Sequence, residues 1–219
     1  MKKNIIVISL TFILGLASCS FTSSNFDQTD KDKLLLQLIS YVLDQGHFVE
    51  KEINDDFSRE VFNEYLNIID PYKRYFYKSD IEEFKKYEDQ LDDKFINAEI
   101  DFFDLTYNRV QKRFNESKLI YKEILNNPFD YKIDENFNAD FKSLDYVKDK
   151  SEMKDRWRKQ LKFSSIETYN TLLEEQENEL EDNPSHKTKS NIEIELEARE
   201  STLKTLNEMY DFYEDITRS

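Results

Sequence analysis

Apolar residues recur at helical spacing along almost the whole chain. Between Asp56 and Pro71, the residues Val61, Phe62, Tyr65, Leu66 and Ile69 follow i, i+1, i+4, i+5, i+8, which is one face of an α-helix. Asp70-Pro71 ends that helix, because the residue before proline is pushed out of the helical region and proline cannot continue the ladder. Upstream, Leu34, Leu35, Leu38, Ile39, Val42 and Leu43 predict an apolar helix that starts near Asp30 and stops at Gly46. His47 to Asp56 reads as a charged connector.

Downstream, an aromatic turn at Tyr72–Phe76 leads into Ser79-Asp80-Ile81-Glu82, which has capping-box spacing. A helix is therefore predicted from Asp80, carrying Phe84, Tyr87 and Leu91. A longer one is predicted from about Glu99 to Asn126. Its stripe is Ile100, Phe103, Tyr107, Val110, Phe114, Tyr121 and Ile124, interrupted by Ser117. Asn127-Pro128 ends it.

Phe129-Asp130-Tyr131-Lys132-Ile133 alternates apolar and polar like a short strand or an extended clip. Phe137, Phe141, Leu144 and Tyr146 then punctuate a polar loop. These rings either pin the loop onto helices or line an exposed peptide groove. Ser151 to Asp182 reads as helix, with a break at Leu161–Ser165 where Ser164 or Ser165 caps a new start. The acidic run Glu174–Asp182 is a solvated end before Asn183-Pro184-Ser185. Asn191 is expected to cap a last helix with Ile192, Leu196, Leu203, Leu206, Tyr210, Tyr213 and Ile216 on one face. That stripe still runs at the C-terminus, so the expectation is a severed domain that leaves Leu206, Tyr210 and Tyr213 partly bare. A stand-alone domain would bury them.

Composition sharpens this pattern. Two glycines and three prolines in 219 residues are too few for the turns of an all-β chain. The fold class is all-α: a multi-helix bundle with an irregular aromatic loop, and room for short strands, near 129–149. The formal charge of −15 repels phosphate, so nucleic acid is not an expected partner.

The N-terminus adds a processing signal. Lys2-Lys3 precede an apolar run from Ile5 to Leu16, too short for a stable membrane span. Leu16-Ala17-Ser18-Cys19 then has the form of a lipobox, with Cys19 as the lipidation site. Cys19 is also the single cysteine, which leaves no intramolecular disulfide. The expected layout is a lipoprotein signal peptide at 1–18, a flexible tether at 19–30 and a helical domain at 31–219. A lipid anchor would hold this domain to a membrane in the cell envelope.

Candidate chemistry is sparse. His47 and His186 lie in separate polar connectors, outside any zinc or nucleophile spacing, and Asp44 with His47 straddles a helix end. Asp92-Asp93 are adjacent, so on a helix they diverge by about 100° and read as solvated charge. Ser58, Ser79 and Ser151 read as helix caps. No catalytic, cofactor-binding or metal-binding residue is assigned, and no cofactor is expected.

Order and spacing together resemble a known family. Ser58-x-x-Val61-Phe62-x-x-Tyr65-Leu66-x-x-Ile69-Asp70-Pro71-x-Lys73-x-Tyr75-Phe76 is similar to the N-terminal helical domain of tail-specific proteases, also called carboxy-terminal processing peptidases. Ser79-Asp80-Ile81-Glu82-Glu83-Phe84, Asp101–Leu105, Val110–Phe114, Phe129-Asp130-Tyr131 and Trp157-Arg158-x-x-Leu161-Lys162-Phe163 extend the likeness across about Leu34 to Ile216. In that family the domain precedes a PDZ domain and a serine-type protease core with a Ser/Lys dyad. These enzymes trim envelope proteins near their C-terminal tails.

The resemblance implies a non-catalytic domain for scaffolding, or for docking of envelope proteins or a lipoprotein adaptor, with PDZ and protease domains as absent partners. No position here matches a residue of the dyad. The alternative is a stand-alone helical envelope lipoprotein acting as a protein-binding module.

Overall fold

The computed structural model describes residues 30–35, 37–38 and 52–218, with side chains through 215. It is all-α. Helices α1 (Asp55–Ile69), α2 (Lys78–Phe84), α3 (Leu91–Ile96), α4 (Asp101–Leu125), α5 (Lys150–Asp182) and α6 (Asn191–Arg218) follow in order. Short 3₁₀ turns occur at Lys85–Tyr87 and Phe141–Ser143. Residues 30–35 and 37–38 are helical too, and Leu34, Leu35 and Leu38 are exposed there. Leu36, Ile39, Val42, Leu43, Asp44, Gly46 and His47 lie outside the described residues. Among the described residues no helix is long and apolar enough to cross a membrane.

The chain divides into two compact units, Met1–Asn54 with Asp92–Ile100, and Asp55–Leu91 with Asp101–Ser219. The first contains most of α3, where Asp92 is buried and Asp93 exposed. This corrects the reading of both as solvated. Carboxylates in a first turn face the positive end of the helix dipole, which favours placing them there.

The second unit holds two apolar clusters. One gathers Phe62 and Leu66 of α1, Phe76, Phe84, Leu91 and Phe102. The other joins α4, α5 and α6 through Phe114, Tyr121, Ile124, Met153, Trp157, Leu206 and Tyr210. Helix α4 spans both, with a twist against expectation. Phe102 and Thr106 are its fully buried residues near the N-terminal end, while Tyr107 is 49% exposed.

Ser117 does not interrupt the stripe but belongs to it. It is 2% exposed, and its hydroxyl meets the Tyr210 hydroxyl at 2.5 Å. A buried tyrosine needs such a partner. Leu206 and Tyr210 are buried and Tyr213 packs against the same cluster, so the stripe expected to be bare in a severed domain is covered. At its start α6 buries Ile194, Ala198 and Thr202, whereas Ile192 is 81% exposed.

Helix boundaries also shift. Helix α5 runs through Leu161–Ser165 without a break. Ser165 is buried, and its Oγ meets the Tyr131 hydroxyl at 2.7 Å, which turns a residue read as a cap into an internal contact. Asp149, not Ser151, is the N-cap, accepting from the amides of Ser151 and Glu152. Ser190 and Glu193 form the reciprocal cap of α6, one residue before Asn191.

At α2 the carboxylate that reaches back is that of Asp80, accepting from Tyr77 N at 2.9 Å; Ser79 is exposed. Ser58 lies inside α1, donating to Glu88 O and accepting from Leu91 N, each at 2.7 Å. It therefore closes the start of α3 rather than the start of α1.

Candidate functional site

The most organised surface of the second unit forms where the Asp70 turn and the 129–149 loop meet α5. Asp70 closes α1 and is fully buried. Its carboxylate accepts the amides of Arg74 at 2.9 Å, Tyr75 at 3.1 Å and Phe76 at 3.0 Å. Burial pushes the Asp70 carboxyl above its ordinary range, while these amides and Lys73 pull it back. Three donors on one carboxylate fold the chain into a tight reversal after Pro71.

Lys73 sits at φ 50 within that reversal, a conformation that costs a non-glycine residue about 1–2 kcal/mol. Its ammonium offsets this by donating to Asn67 Oδ1 and to the Tyr146 hydroxyl, both at 2.9 Å.

One turn of α5 then reads the carbonyls of the reversal in succession. Gln160 Nε2 donates to Tyr72 O at 3.3 Å, Arg156 Nη1 to Lys73 O at 2.6 Å, and Trp157 Nε1 to Arg74 O at 2.9 Å. Arg156 also takes Asp145 O at 2.7 Å, so it clasps the turn and the loop together. The Arg74 guanidinium lies over the rings of Tyr72, Tyr75 and Trp157, 4.9, 5.5 and 4.8 Å from their centroids. Its Nε is buried without a hydrogen-bond partner, and no carboxylate among the described residues pairs with it.

The 129–149 loop lies along α5. The Glu135 carboxylate bridges Arg158 and Lys162, with contacts of 2.5 and 2.7 Å, and these two cations hold it well below its ordinary value, at about 2. Phe137 stacks on Phe163 with centroids 4.9 Å apart, and Phe141 meets Tyr72 edge-on at 5.0 Å. The strand expected in the loop reduces, among the described residues, to an isolated parallel bridge between Tyr77 and Val147. The reading of rings pinned onto helices holds, because Phe137, Phe141, Leu144 and Tyr146 are all half-buried.

Pinning still leaves room. Two open clefts of about 460 and 350 Å³ flank the loop, and Phe137 and Lys159 border both.

The other candidates are scattered. Cys19 lies outside the described residues, as does the Asp44–His47 pair. His186 Nε2 sits 2.8 Å from Glu179 at the exposed α5–α6 connection. Among the described residues no three of His, Cys, Asp and Glu gather to hold a metal ion.

Arg74, Arg156 and Gln160 were not singled out from the sequence. The available signal was the aspartate before Pro71, whose carboxylate invites the amides that follow it. Nothing in the sequence gives the register by which α5 meets those carbonyls. A family model described as the tail specific protease N-terminal domain matches residues 39–215, a span that contains the whole of this surface.

Proposed function

Because the chain belongs to the tail specific protease N-terminal domain family, we propose that it is a non-catalytic docking and scaffold domain for C-terminal processing of envelope proteins. The family match over residues 39–215 carries this reading. The surface built on α5 supports it: its polar groups are spent on holding backbone carbonyls and a loop, as in a recognition scaffold, and its clefts stay open to a partner. The partners are envelope proteins or a lipoprotein adaptor, together with PDZ and protease domains. The domain sits in the envelope, lipid-anchored through Cys19.

The closed core around Tyr210 favours a second reading, a helical envelope lipoprotein that binds partners independently of an enzyme. Cross-linking in intact envelopes, followed by mass analysis of the adducts, separates the two. Adducts with a serine protease or its substrates support the first reading, and adducts with other envelope proteins alone support the second. Recovery of only the uncross-linked chain overturns both. A diacylglyceryl mass on the Cys19 peptide is expected in the same samples; an unmodified Cys19 behind an intact leader contradicts the anchor.

A further inference from the structure

Past the larger apolar cluster, α5 and α6 run on as a two-helix arm. From Ile166 onward no residue of α5 is buried, and α6 buries nothing before Ile194. Gln176 Oε1 accepts the Lys189 amide at 2.6 Å, which ties α5 to the start of α6. One apolar row on α6 outlasts its cover. Leu203 packs against the larger cluster. Leu196 and Ile192, seven and eleven residues before it on the same helix face, are 42% and 81% exposed.

Charge around this row selects what can cover it. Residues 166–200 hold eleven Asp and Glu against three Lys and Arg. Among the described residues only Glu179, Glu195 and Glu197 of these acids pair with a basic side chain. Glu193, Glu197 and Glu200 run beside the apolar row, about 100° round the helix. On α5, Glu174, Glu177 and Glu181 are exposed. Such a field repels nucleic acid and an anionic membrane surface. A second copy of the chain, meeting arm to arm, brings the same repelling charge.

We propose that Ile192 and Leu196, with their acidic border, form a docking face for a basic amphipathic helix of a partner protein. The inference rests on the docking reading above and gives it a partner chemistry. Apolar side chains four apart on the incoming helix cover Ile192 and Leu196, so that it packs on the arm as a third helix. Lysines and arginines flanking them meet the carboxylates that lack a cation, which fixes the register and speeds the encounter.

The test is fluorescence anisotropy with the full chain and three labelled helical peptides of equal length. One is lysine-rich with leucine at every fourth position; in the second alanine replaces the leucines, and in the third glutamate replaces the lysines. The first should bind saturably and lose affinity as salt rises. Each control should bind at least about tenfold more weakly. Ile192→Ser combined with Leu196→Ser should abolish the difference between the leucine and alanine peptides. Glu174, Glu177, Glu181, Glu197 and Glu200, all changed to Lys, should reverse the preference toward the glutamate peptide, an outcome that misfolding cannot produce. The same change at five exposed acids elsewhere, Glu64, Glu82, Asp104, Asp134 and Asp140, should leave the preference as it was.

Equal affinity for all three peptides, no saturable binding, or reversal by the distant changes as well overturns the proposal. So does concentration-dependent self-association that is lost in the serine double variant, which would assign the face to a second copy of the chain. Envelope cross-links that map to the α5 surface around Arg156 and leave the arm untouched would keep the docking reading and remove this face alone. Absence of any cross-linked partner removes the docking reading itself.

Discussion

The indole N–H of Trp157 donates to the backbone carbonyl of Arg74 across 83 residues of sequence, at 2.9 Å. This bond fastens the Asp70 reversal to the middle of the three-helix cluster, because Trp157 is fully buried between Tyr75 and Tyr121. Trp157→Phe keeps an aromatic ring but leaves the Arg74 carbonyl without its donor and a gap where the indole was. The expected loss is about 2–4 kcal/mol in urea unfolding. Protection of the Arg74–Phe76 amides from hydrogen exchange should fall with it. An unchanged unfolding midpoint would show that the turn holds without α5.

Asp80 is 1% exposed and meets both Arg109 and Arg113, with Arg113 bidentate at 2.8 Å from each oxygen. Burial works against the charged carboxylate, but the two guanidiniums and the Tyr77 amide outweigh it and hold its pKa below the ordinary value. Asp80→Ala leaves Arg109 with Glu83 and Arg113 with Glu116 as their remaining carboxylate partners, and removes the acceptor of the Tyr77 amide. The expected destabilisation is about 3–5 kcal/mol, measured against Glu83→Ala. Glu83 pairs with Arg109 at a more exposed position, and its loss should cost about 1 kcal/mol or less.

Glu135 provides a pH-dependent clasp for the 129–149 loop. Its folded pKa is about 2, against an ordinary 4.5. A group depressed on folding contributes stability that is complete above its unfolded value and is lost as pH falls through the folded one. The loop should therefore loosen on Arg158 and Lys162 between pH about 4.5 and 2, and stay clasped at neutral pH. Chemical shifts of Phe137 and Phe163 followed through that window should report it. In Glu135→Gln the rings should be equally loose at every pH; a transition of the same size in the variant would assign the effect to another group.

The hydroxyl pair of Ser117 and Tyr210 tests the polar match inside the larger cluster. Ser117→Ala and Tyr210→Phe should each cost about 1–2 kcal/mol, and the double variant less than their sum. Fully additive losses would show that the two hydroxyls act independently.

Most of the fold is legible in the apolar spacing. The Val61–Ile69 face, the Asp70-Pro71 stop and the helix ending before Pro128 all stand where the periodicity puts them. The departures share one physical origin: local spacing cannot register a partner chosen by tertiary packing. Ser117 and Ser165 look like breaks because a lone hydroxyl is read against its sequence neighbours. In the structure, each is satisfied by a tyrosine hydroxyl from a distant segment.

Caps shifted by one or two residues for a related reason. Asp149, Asp80 and Ser190 each lie beside an equally good candidate, and the winner is set by where the preceding loop is tied. The surface where the Asp70 reversal and the 129–149 loop meet α5 is the least legible part. Its loop rings were visible, but Arg74, Arg156 and Gln160 acquire their roles only when α5 crosses the carbonyls of Tyr72, Lys73 and Arg74.

The central claim is that this domain holds proteins for processing and leaves the chemistry to another domain. Native mass spectrometry of the purified full chain, mixed with an envelope protein recovered by cross-linking, reads binding and cleavage together. The account predicts a complex whose mass is the sum of both intact proteins, unchanged after prolonged incubation. A partner shortened at its C-terminal tail by this chain alone, or two proteins that never form a complex, would contradict it.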